Sequence, residues 1–236
     1  MNMDQLTVKQ LASMIDHTNL RAYADEAAMR LLCNEAKTYG FAMVAVNSAQ
    51  TARCKRFLEG SGVHVGAAIG FPLGQTTIAA KVFETRDALD NGADEIDYVV
   101  NLSELKSGNW DFVRTEMESI VALCRKAGAI SKVIFENCYL EDNEIRMLAE
   151  LSVRIRPDFI KTSTGFGTGG ALVRDIRLMK EIVRQDVQVK AAGGIRDWKT
   201  CRNMIEAGAT RIGTSSGVSI LEEFRNSLPA TLCRTE

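Results

Sequence analysis

Two lysines interrupt apolar, strand-like segments, and their type and spacing make them the first candidates for chemistry. Lys161 lies in PDFIKTSTGF and Lys190 lies in DVQVKAAGG, each just before a glycine-rich turn. Lysine is rarely buried without a partner or a purpose. If both side chains face one interior, burial and the like charge lower their pKa values, and only a free amine attacks a carbonyl carbon. The pattern predicts a nucleophilic lysine; the alternative is that both side chains extend into solvent.

Two aspartates in strand-like segments are candidate partners for these lysines or for a substrate. Asp97 lies in ADEIDYVVN, where a carboxylate within an apolar run requires a cationic or hydrogen-bonding partner. Beside a reacting lysine it could transfer protons directly or through one water, whereas the alternative is a structural ion pair. Asp16, in IDHTNL, is a candidate for substrate contact or for a local turn with Thr18. We expect Glu136 to contact one of the lysines from behind the reacting layer.

Three glycine-rich turns predict a phosphate site. Each follows a strand-like segment, and they are TSTGFGTGG (162–170), AAGGIRD (191–197) and GTSSG (213–217). Glycine lets backbone N–H groups approach an oxyanion, and the helix that follows the last turn adds a favourable dipole. Ser215 and Ser216 would add hydroxyl donors, and Arg196 would add positive charge. A small phosphorylated molecule is the class of ligand that this arrangement indicates.

The segments that must position these residues repeat a strand-then-helix pattern. Apolar or β-branched runs predict strands over 14–20, 41–47, 64–70, 95–101, 132–138, 159–165, 187–193 and 211–217. Helical spacing of apolar residues predicts helices over 24–39, 76–91, 112–127, 171–184 and 197–207. This alternation implies parallel strands with right-handed crossovers. We therefore expect a (β/α)8 TIM barrel in one domain over residues 1–236, because an open doubly wound sheet would more often show a GxGxxG turn.

The overall composition disfavours several classes of partner. Among 236 residues the formal net charge is -1, which gives no electrostatic reason to expect nucleic acid or a membrane surface. The N-terminal segment lacks an apolar core of signal-peptide length, and no apolar run reaches the length of a membrane span. Six cysteines without a CxxC pair predict free thiols and no structural zinc. We expect a cytoplasmic protein that needs no metal or other cofactor.

Segments along nearly the whole chain resemble the deoxyribose-phosphate aldolase family. They are IDHTNL, IGFPLGQT, KVFETRDAL, NGADEIDYVVN, LKSGNWDFV, FIKTSTGFGTGGA, VKAAGGIRD and EAGATRIGTSSG. The resemblance implies a metal-independent class I aldolase. The implied reaction is the reversible cleavage of 2-deoxy-D-ribose 5-phosphate to acetaldehyde and D-glyceraldehyde 3-phosphate. Because the family is often dimeric, a homodimer is a further expectation.

The same resemblance implies a role for each matching residue. Lys161, in KTSTG, would form the Schiff base, and Lys190, in VKAAGG, would lower its pKa. Asp97, in DEID, would act in proton transfer. The residues implied for binding the phosphate group are Gly165, Gly193, Gly194, Gly213, Ser215 and Ser216.

Three departures from the family pattern leave rival hypotheses open. Ala45 and Ser48 stand where many members carry Cys and Pro, Gly167 stands where Ser is common, and the tail TLCRTE (231–236) lacks a tyrosine found in some members. The first rival is a class I aldolase that acts on a different sugar phosphate. The second is a catalytically silent barrel that binds a sugar phosphate. A metal-dependent aldolase is disfavoured because the sequence offers no His/Glu cluster.

Overall fold

Eight parallel strands close into a barrel in the computed structural model, which describes residues 3–228. Each strand pairs with its neighbours in chain order, and β1 also pairs with β8. The strands are β1 (Ile15–Thr18), β2 (Met43–Asn47), β3 (His64–Ile69), β4 (Glu95–Val99), β5 (Ile130–Ile134), β6 (Phe159–Lys161), β7 (Gln188–Ala192) and β8 (Arg211–Thr214). The predicted (β/α)8 barrel is confirmed.

Helices cover the outside of the barrel between successive strands. They are α1 (Val8–Ala12), α2 (Glu26–Tyr39), α3 (Thr51–Phe57), α4 (Ile78–Asp90), α5 (Leu102–Lys106), α6 (Trp110–Ala127), α7 (Asp142–Ile155), α8 (Val173–Val183), α9 (Trp198–Glu206) and α10 (Gly217–Ser227). The five predicted helices correspond to α2, α4, α6, α8 and α9. The remaining helices include α7, which has fourteen residues and an apolar face of its own.

Helix ends follow local sequence signals. Asp25 is the N-cap residue of α2, and its side chain accepts a hydrogen bond from the backbone N–H of Ala28. Asp197 caps α9 in the same way through Thr200. At the other end of α2, Gly40 has a φ of 68°, a left-handed conformation that glycine adopts without steric cost. Such caps satisfy backbone groups that would otherwise lack partners at helix ends.

Side chains on the two faces of the strands have opposite character. The outward face is apolar and packs against the helices; Val44, Val46, Val65, Ile96 and Val133 are fully buried there. Burying one such side chain contributes roughly 1.5–3 kcal/mol to stability. Positions that alternate with these face the barrel interior, and on β1 and β4–β8 they include charged residues. The outer layer therefore supplies the continuous hydrophobic core, while the interior is free to hold polar chemistry.

All eight strands are shorter than predicted, and two of them differ most in their bounds. The strand predicted over 159–165 ends at Lys161, because the chain turns at Gly165, whose φ is 92°. The strand predicted over 132–138 begins two residues earlier and ends at Ile134. The prediction of one domain over residues 1–236 reaches past the described residues and stays a prediction. The tail TLCRTE (231–236) also lies outside them.

Candidate active site

The two lysines singled out by the sequence lie side by side on neighbouring strands. Lys161 ends β6 and Lys190 is the third residue of β7, and the strand register places them opposite each other. Both are buried, with 4% of Lys161 and 0% of Lys190 exposed. Because partners in register on parallel strands point to the same face, both side chains project into the barrel.

One carboxylate bridges three buried ammonium groups. Asp97 Oδ2 lies 2.7 Å from Lys161 Nζ and 2.7 Å from Lys190 Nζ. Its other oxygen, Oδ1, lies 2.6 Å from Nζ of Lys132 on β5. Burial by itself would favour the protonated acid, but the three ammonium groups hold the pKa of Asp97 well below its usual range. The aspartate is therefore a carboxylate, placed between the two predicted catalytic lysines.

Further charged side chains complete an interior charge cluster of seven residues. Arg211 Nη1 lies 2.7 Å from Asp16 Oδ1 and 3.2 Å from Glu95 Oε2. Asp16 Oδ2 lies 2.5 Å from Lys190 Nζ, and Glu95 forms an ion pair with Lys132. The cluster consists of Asp16, Glu95, Asp97, Lys132, Lys161, Lys190 and Arg211. With all four basic groups protonated it carries one more positive than negative charge, and loss of one proton would balance it.

Within the cluster, the pKa values of Lys161 and Lys132 are shifted in opposite directions. Burial, together with the positive charges of Lys190 and Lys132, lowers the pKa of Lys161 to about 8, although Asp97 opposes this change. In contrast, Asp97 and Glu95 outweigh burial at Lys132 and raise the pKa of that lysine. The cluster thus separates a lysine that can supply a free amine near neutral pH from one that remains an ammonium ion.

A cavity of about 560 Å³ opens at the C-terminal ends of the strands and reaches Lys161. Five of the six residues predicted to bind phosphate line it: Gly165, Gly193, Gly194, Gly213 and Ser215. Ser216 lies one residue further, at the start of α10, where its backbone N–H donates to Thr214 Oγ1. Arg196 also lines the cavity. The predicted nucleophile and the predicted phosphate turns therefore share one space.

An aromatic ring that the sequence did not single out lies beside Lys161. The centroid of the Phe71 ring is 5.4 Å from Lys161 Nζ. An ammonium group at that distance from a ring face is attracted to it, while the apolar ring reduces hydration of the amine. The motif IGFPLGQT contains this residue, but a phenylalanine just after a strand gives no signal that separates a wall of the site from an ordinary packing residue.

Two other predicted residues make contacts that the sequence did not indicate. Asp16 is fully buried within the charge cluster and does not line the cavity. Its predicted contact with substrate stays a prediction. The Glu136 carboxylate accepts hydrogen bonds from the backbone N–H of Thr164, at 3.0 Å, and from its hydroxyl group. Glu136 thus holds the loop after β6 rather than a lysine, which corrects the expectation for that residue.

The family departures have structural explanations at two positions. Ala45 lines the cavity, so the smaller side chain changes the wall next to the substrate space. Ser48 Oγ donates to Glu84 Oε1 at 2.8 Å, and Glu84 Oε2 accepts the backbone N–H of Gly70. A proline at position 48 could not make this contact, which links the turn after β2 to the turn after β3.

Three members of the charge cluster were missed by sequence reasoning. Glu95 and Arg211 are the first residues of β4 and β8, and Lys132 is the third of five residues in β5, whereas reactive groups are expected at C-terminal ends. For Glu95 the sequence did carry a signal, because side chains alternate between the two faces of a strand. Glu95 lies two positions before Asp97 and therefore shares its face of β4. Lys132 is the first residue of the strand predicted over 132–138. In the structure it pairs with Asp97 in the strand register, so its side chain also points into the barrel.

Two other kinds of feature are absent from residues 3–228. No group of three or more His, Cys, Asp or Glu side chains there is arranged to hold a metal ion. No helix in that range combines the length and apolar character needed to cross a bilayer.

Comparison with known proteins agrees with this geometry. The sequence matches the DeoC/LacD family aldolase over residues 10–224. A deoxyribose-phosphate aldolase of Lactobacillus acidophilus is 53% identical over 219 residues, which cover 93% of this chain and 92% of that protein. Another, from Thermococcus gammatolerans, is 49% identical over 219 residues, covering 92% of this chain and 97% of that one. The tetrameric structure of deoxyribose phosphate aldolase from Aeropyrum pernix superimposes with a TM-score of 0.88, at 35% identity and 96% coverage of both chains. With the matched region spanning the whole charge cluster and every turn around the cavity, the chain belongs to the DeoC/LacD family of aldolases.

Proposed function

We propose that the protein is an aldolase that reversibly cleaves 2-deoxy-D-ribose 5-phosphate to acetaldehyde and D-glyceraldehyde 3-phosphate through a Schiff base on Lys161. One observation carries this proposal: among the lysines of the charge cluster, Lys161 is the one that lines the cavity, and its pKa is lowered to about 8. A buried amine that loses its proton near neutral pH is the nucleophile that a carbonyl substrate requires.

Formation of the Schiff base begins with attack of neutral Lys161 Nζ on the C1 aldehyde of the open-chain sugar. The new C–N bond forms as the carbonyl π bond breaks, and the amine proton leaves. Asp97 Oδ2, at 2.7 Å from Nζ, would receive that proton and pass it to the former carbonyl oxygen, directly or through one water, which gives the carbinolamine hydroxyl. A second proton, taken up from solvent and returned when the iminium ion is hydrolysed, then protonates that hydroxyl. Water then departs and leaves an iminium ion. Because the ammonium groups keep the pKa of Asp97 low, the carboxylate holds the proton only transiently.

Cleavage of the C2–C3 bond uses the iminium ion as an electron sink. A base removes the proton of the C3 hydroxyl, the C3–O bond becomes a carbonyl, and the C2–C3 electron pair moves to form the enamine. D-glyceraldehyde 3-phosphate is released. Protonation of the enamine at C2 and hydrolysis of the resulting iminium ion then release acetaldehyde and regenerate the amine. The positive charge of Lys190 beside this centre favours the neutral form of Lys161.

The phosphate group of the substrate would lie in the glycine-lined part of the cavity. Gly193 and Gly194 have φ values of 86° and 78°, a backbone conformation that turns successive N–H groups toward one side. Ser215 and Arg196 line the same space and would add a hydroxyl donor and a positive charge. Binding the phosphate in this part of the cavity would orient the aldehyde end of the sugar toward the amine of Lys161.

The test of the proposed function is borohydride trapping with 2-deoxyribose 5-phosphate, followed by intact mass measurement and peptide mapping. A reduced adduct on the peptide that contains Lys161 is expected, together with loss of turnover in Lys161→Met. The matched control is Lys126→Met, which removes an exposed lysine on α6 and should retain both adduct and turnover. Turnover close to wild type in Lys161→Met would exclude the assignment.

The altered cavity wall supports testing a second substrate class. Ala45 replaces the cysteine that many family members carry, and it faces the space that the substrate would occupy. A panel of aldehyde donors and phosphorylated acceptors separates an aldolase for a different sugar phosphate from the proposed enzyme. Binding of the sugar phosphate without an adduct or turnover would instead support a silent barrel.

The proposal extends to location and assembly. We propose a cytoplasmic protein, in agreement with the free thiols at Cys33, Cys54, Cys124, Cys138 and Cys201. We also propose self-association into a homodimer, because apolar side chains such as Phe83 and Leu73 are 74% and 70% exposed. Analytical ultracentrifugation tests this assembly, and a sedimentation coefficient of a 25.9 kDa monomer at micromolar concentration would contradict it.

A further inference from the structure

A continuous line of charged contacts connects Lys161 with the opposite end of the barrel. Lys161 Nζ lies 2.7 Å from Asp97 Oδ2, and Asp97 Oδ1 lies 2.6 Å from Lys132 Nζ. Lys132 forms an ion pair with Glu95, whose Oε1 lies 2.8 Å from Nδ1 of His64. Four contacts therefore join the cavity at the C-terminal ends of the strands to a histidine at the N-terminal end of β3.

His64 differs from the other members of this line because it meets solvent. Its side chain is 45% exposed, whereas those of Glu95 and Lys132 are 0% exposed. It also lines a second cavity of about 600 Å³ on the N-terminal face of the barrel. The imidazole can therefore exchange protons with water, while the groups between it and Lys161 cannot do so readily.

The charged surroundings determine the sign of any effect of His64. The charged groups around the imidazole are Glu95, Asp94 and Arg211, with Lys55, Arg56 and Glu59 lining the same cavity. The groups that face Lys161 are Asp97, Lys190 and Lys132. Since Glu95 and Asp97 are already neutralised by buried cations, a proton on His64 adds uncompensated positive charge to one end of the line.

We propose that His64 is a positioning residue for the Lys161 amine: its positive charge, transmitted through Glu95, Lys132 and Asp97, favours the neutral form of Lys161. This inference rests on the proposed function, in which that amine forms the Schiff base. The coupling is reciprocal, because a proton on either group weakens binding of a proton to the other.

The consequence for activity lies on the acidic side of the pH profile. The hydrogen bond with Glu95 raises the pKa of His64 above its usual value, so the imidazole gains its proton at a higher pH than a free histidine does. At that point the amine of Lys161 would otherwise become scarce. The added charge lowers the pKa of Lys161 and preserves part of the free amine at low pH.

The test compares His64→Gln, which stays neutral and can still hydrogen bond to Glu95, with His64→Lys, which stays charged. The measured quantity is kcat/KM from pH 6 to pH 9.5, because this ratio reports the ionisation of the free enzyme. We expect His64→Gln to lose roughly threefold at pH 6 and nothing at pH 9.5, since a remote unit charge changes a pKa by about 0.5. His64→Lys should match wild type at pH 6 and equal or exceed it at pH 8.

Two results would overturn the inference. One is a loss in His64→Gln of the same factor at every pH, which would mean that the histidine acts through structure alone. The other is a profile identical to wild type in both variants. Failure of the proposed function is distinguishable, because wild type itself would then show no cleavage of 2-deoxyribose 5-phosphate at any pH from 6 to 9.5.

Discussion

At the scale of single residues, the amine of Lys161 is balanced between opposing influences. Burial and the positive charges of Lys190 and Lys132 favour the neutral form, while Asp97 favours the ammonium ion. With a pKa of about 8, about a tenth of the protein carries a free amine at pH 7. A substitution that raises the pKa of Lys161 therefore lowers the fraction of free amine at pH 7. That fraction falls by nearly the same factor as the acid dissociation constant of Lys161.

Removing the neighbouring positive charge should move the activity profile toward alkaline pH. In Lys190→Met the like charge is lost, so we expect the rising limb of kcat/KM to move above pH 8. Activity at pH 7 should then fall by about tenfold for each pH unit that the limb moves. The pH dependence of kcat/KM measures this. Lys126→Met, on the exposed face of α6, is the control and should keep the wild-type limb. A limb that stays in place in Lys190→Met would contradict the proposed role of that residue.

The sequence located the proposed reacting residues better than the residues that contact them. Lys161, Lys190 and Asp97 could be predicted because an ionisable residue in an apolar strand is conspicuous. Arg211 begins β8, and Lys132 begins the strand that the sequence predicts over 132–138; a basic residue at the start of a strand usually reaches solvent. That they face inward depends on the register between strands, which a single sequence does not specify.

At the scale of secondary-structure elements, a buried ion pair joins two helices to the end of β4. Lys81 Nζ on α4 lies 2.6 Å from Glu116 Oε1 on α6 and donates a hydrogen bond to the carbonyl oxygen of Val99. Glu116 Oε2 accepts the backbone N–H of Asn101. Both charged side chains are fully buried, and burial lowers the pKa of Lys81 and raises that of Glu116.

Removing one member of this ion pair should destabilise the protein more than replacing both members with apolar residues. We expect Lys81→Met to lower the free energy of unfolding by roughly 3–5 kcal/mol, because the carboxylate of Glu116 is left buried without its cation. The double variant Lys81→Met, Glu116→Leu should lose less, since no charge then remains unpaired. Urea unfolding measures both. A double variant that is less stable than the single one would show that the hydrogen bonds to Val99 and Asn101 outweigh the charge.

The loop after β6 should not accommodate serine, the common family residue, at position 167 of this chain. A Cβ atom at Gly167 would lie 2.7 Å from Cys138 Sγ and 3.3 Å from the Glu136 carboxylate. We therefore expect Gly167→Ser to displace this loop, which contains Gly165 and Phe166 of the cavity wall, and to raise KM several-fold. Steady-state kinetics measure the change. Adding Cys138→Ala should restore KM, and no restoration would mean that the steric explanation is wrong.

Element boundaries show which local signals the sequence carries. Helix α7 has the same apolar spacing as the predicted helices, with Ile145, Leu148 and Ala149 buried, so the predicted set is incomplete there although the signal is present. The early end of β6 is a different case. Residues 162–164 remain buried after Lys161 and look like a strand, but the hydrogen bonds from Thr164 to Glu136 turn the chain away.

At the scale of the whole molecule, the buried carboxylates make stability depend on pH. Burial opposes ionisation of Glu95 and Asp97, but the surrounding cations lower both pKa values below those of exposed acids. Such groups contribute stability above their unfolded pKa values, near 4, and lose it as the pH falls toward the folded values. We expect the midpoint of urea unfolding to fall steeply below about pH 4. A midpoint unchanged down to pH 2.5 would contradict this.

The architecture of the whole chain was the most predictable level. Eight strand-like segments with helical segments between them allow few topologies, and a closed parallel barrel satisfies the connection rules with eight units. The sequence did not predict that positive and negative side chains nearly balance each other in the barrel interior. Its composition depends on which of two alternating faces each strand turns inward, and the strands are too short and too uniformly buried for the pattern to decide.

The charge cluster and the cavity meet at a single described side chain, Lys161. This separation bears on how such a protein can be diversified. Wall positions such as Ala45, Leu20 and Phe166 can be varied in a mutant library without disturbing the ionic contacts that activate the amine. New acceptor aldehydes should therefore be accessible by changing the walls while the proposed means of activating the carbonyl group is kept.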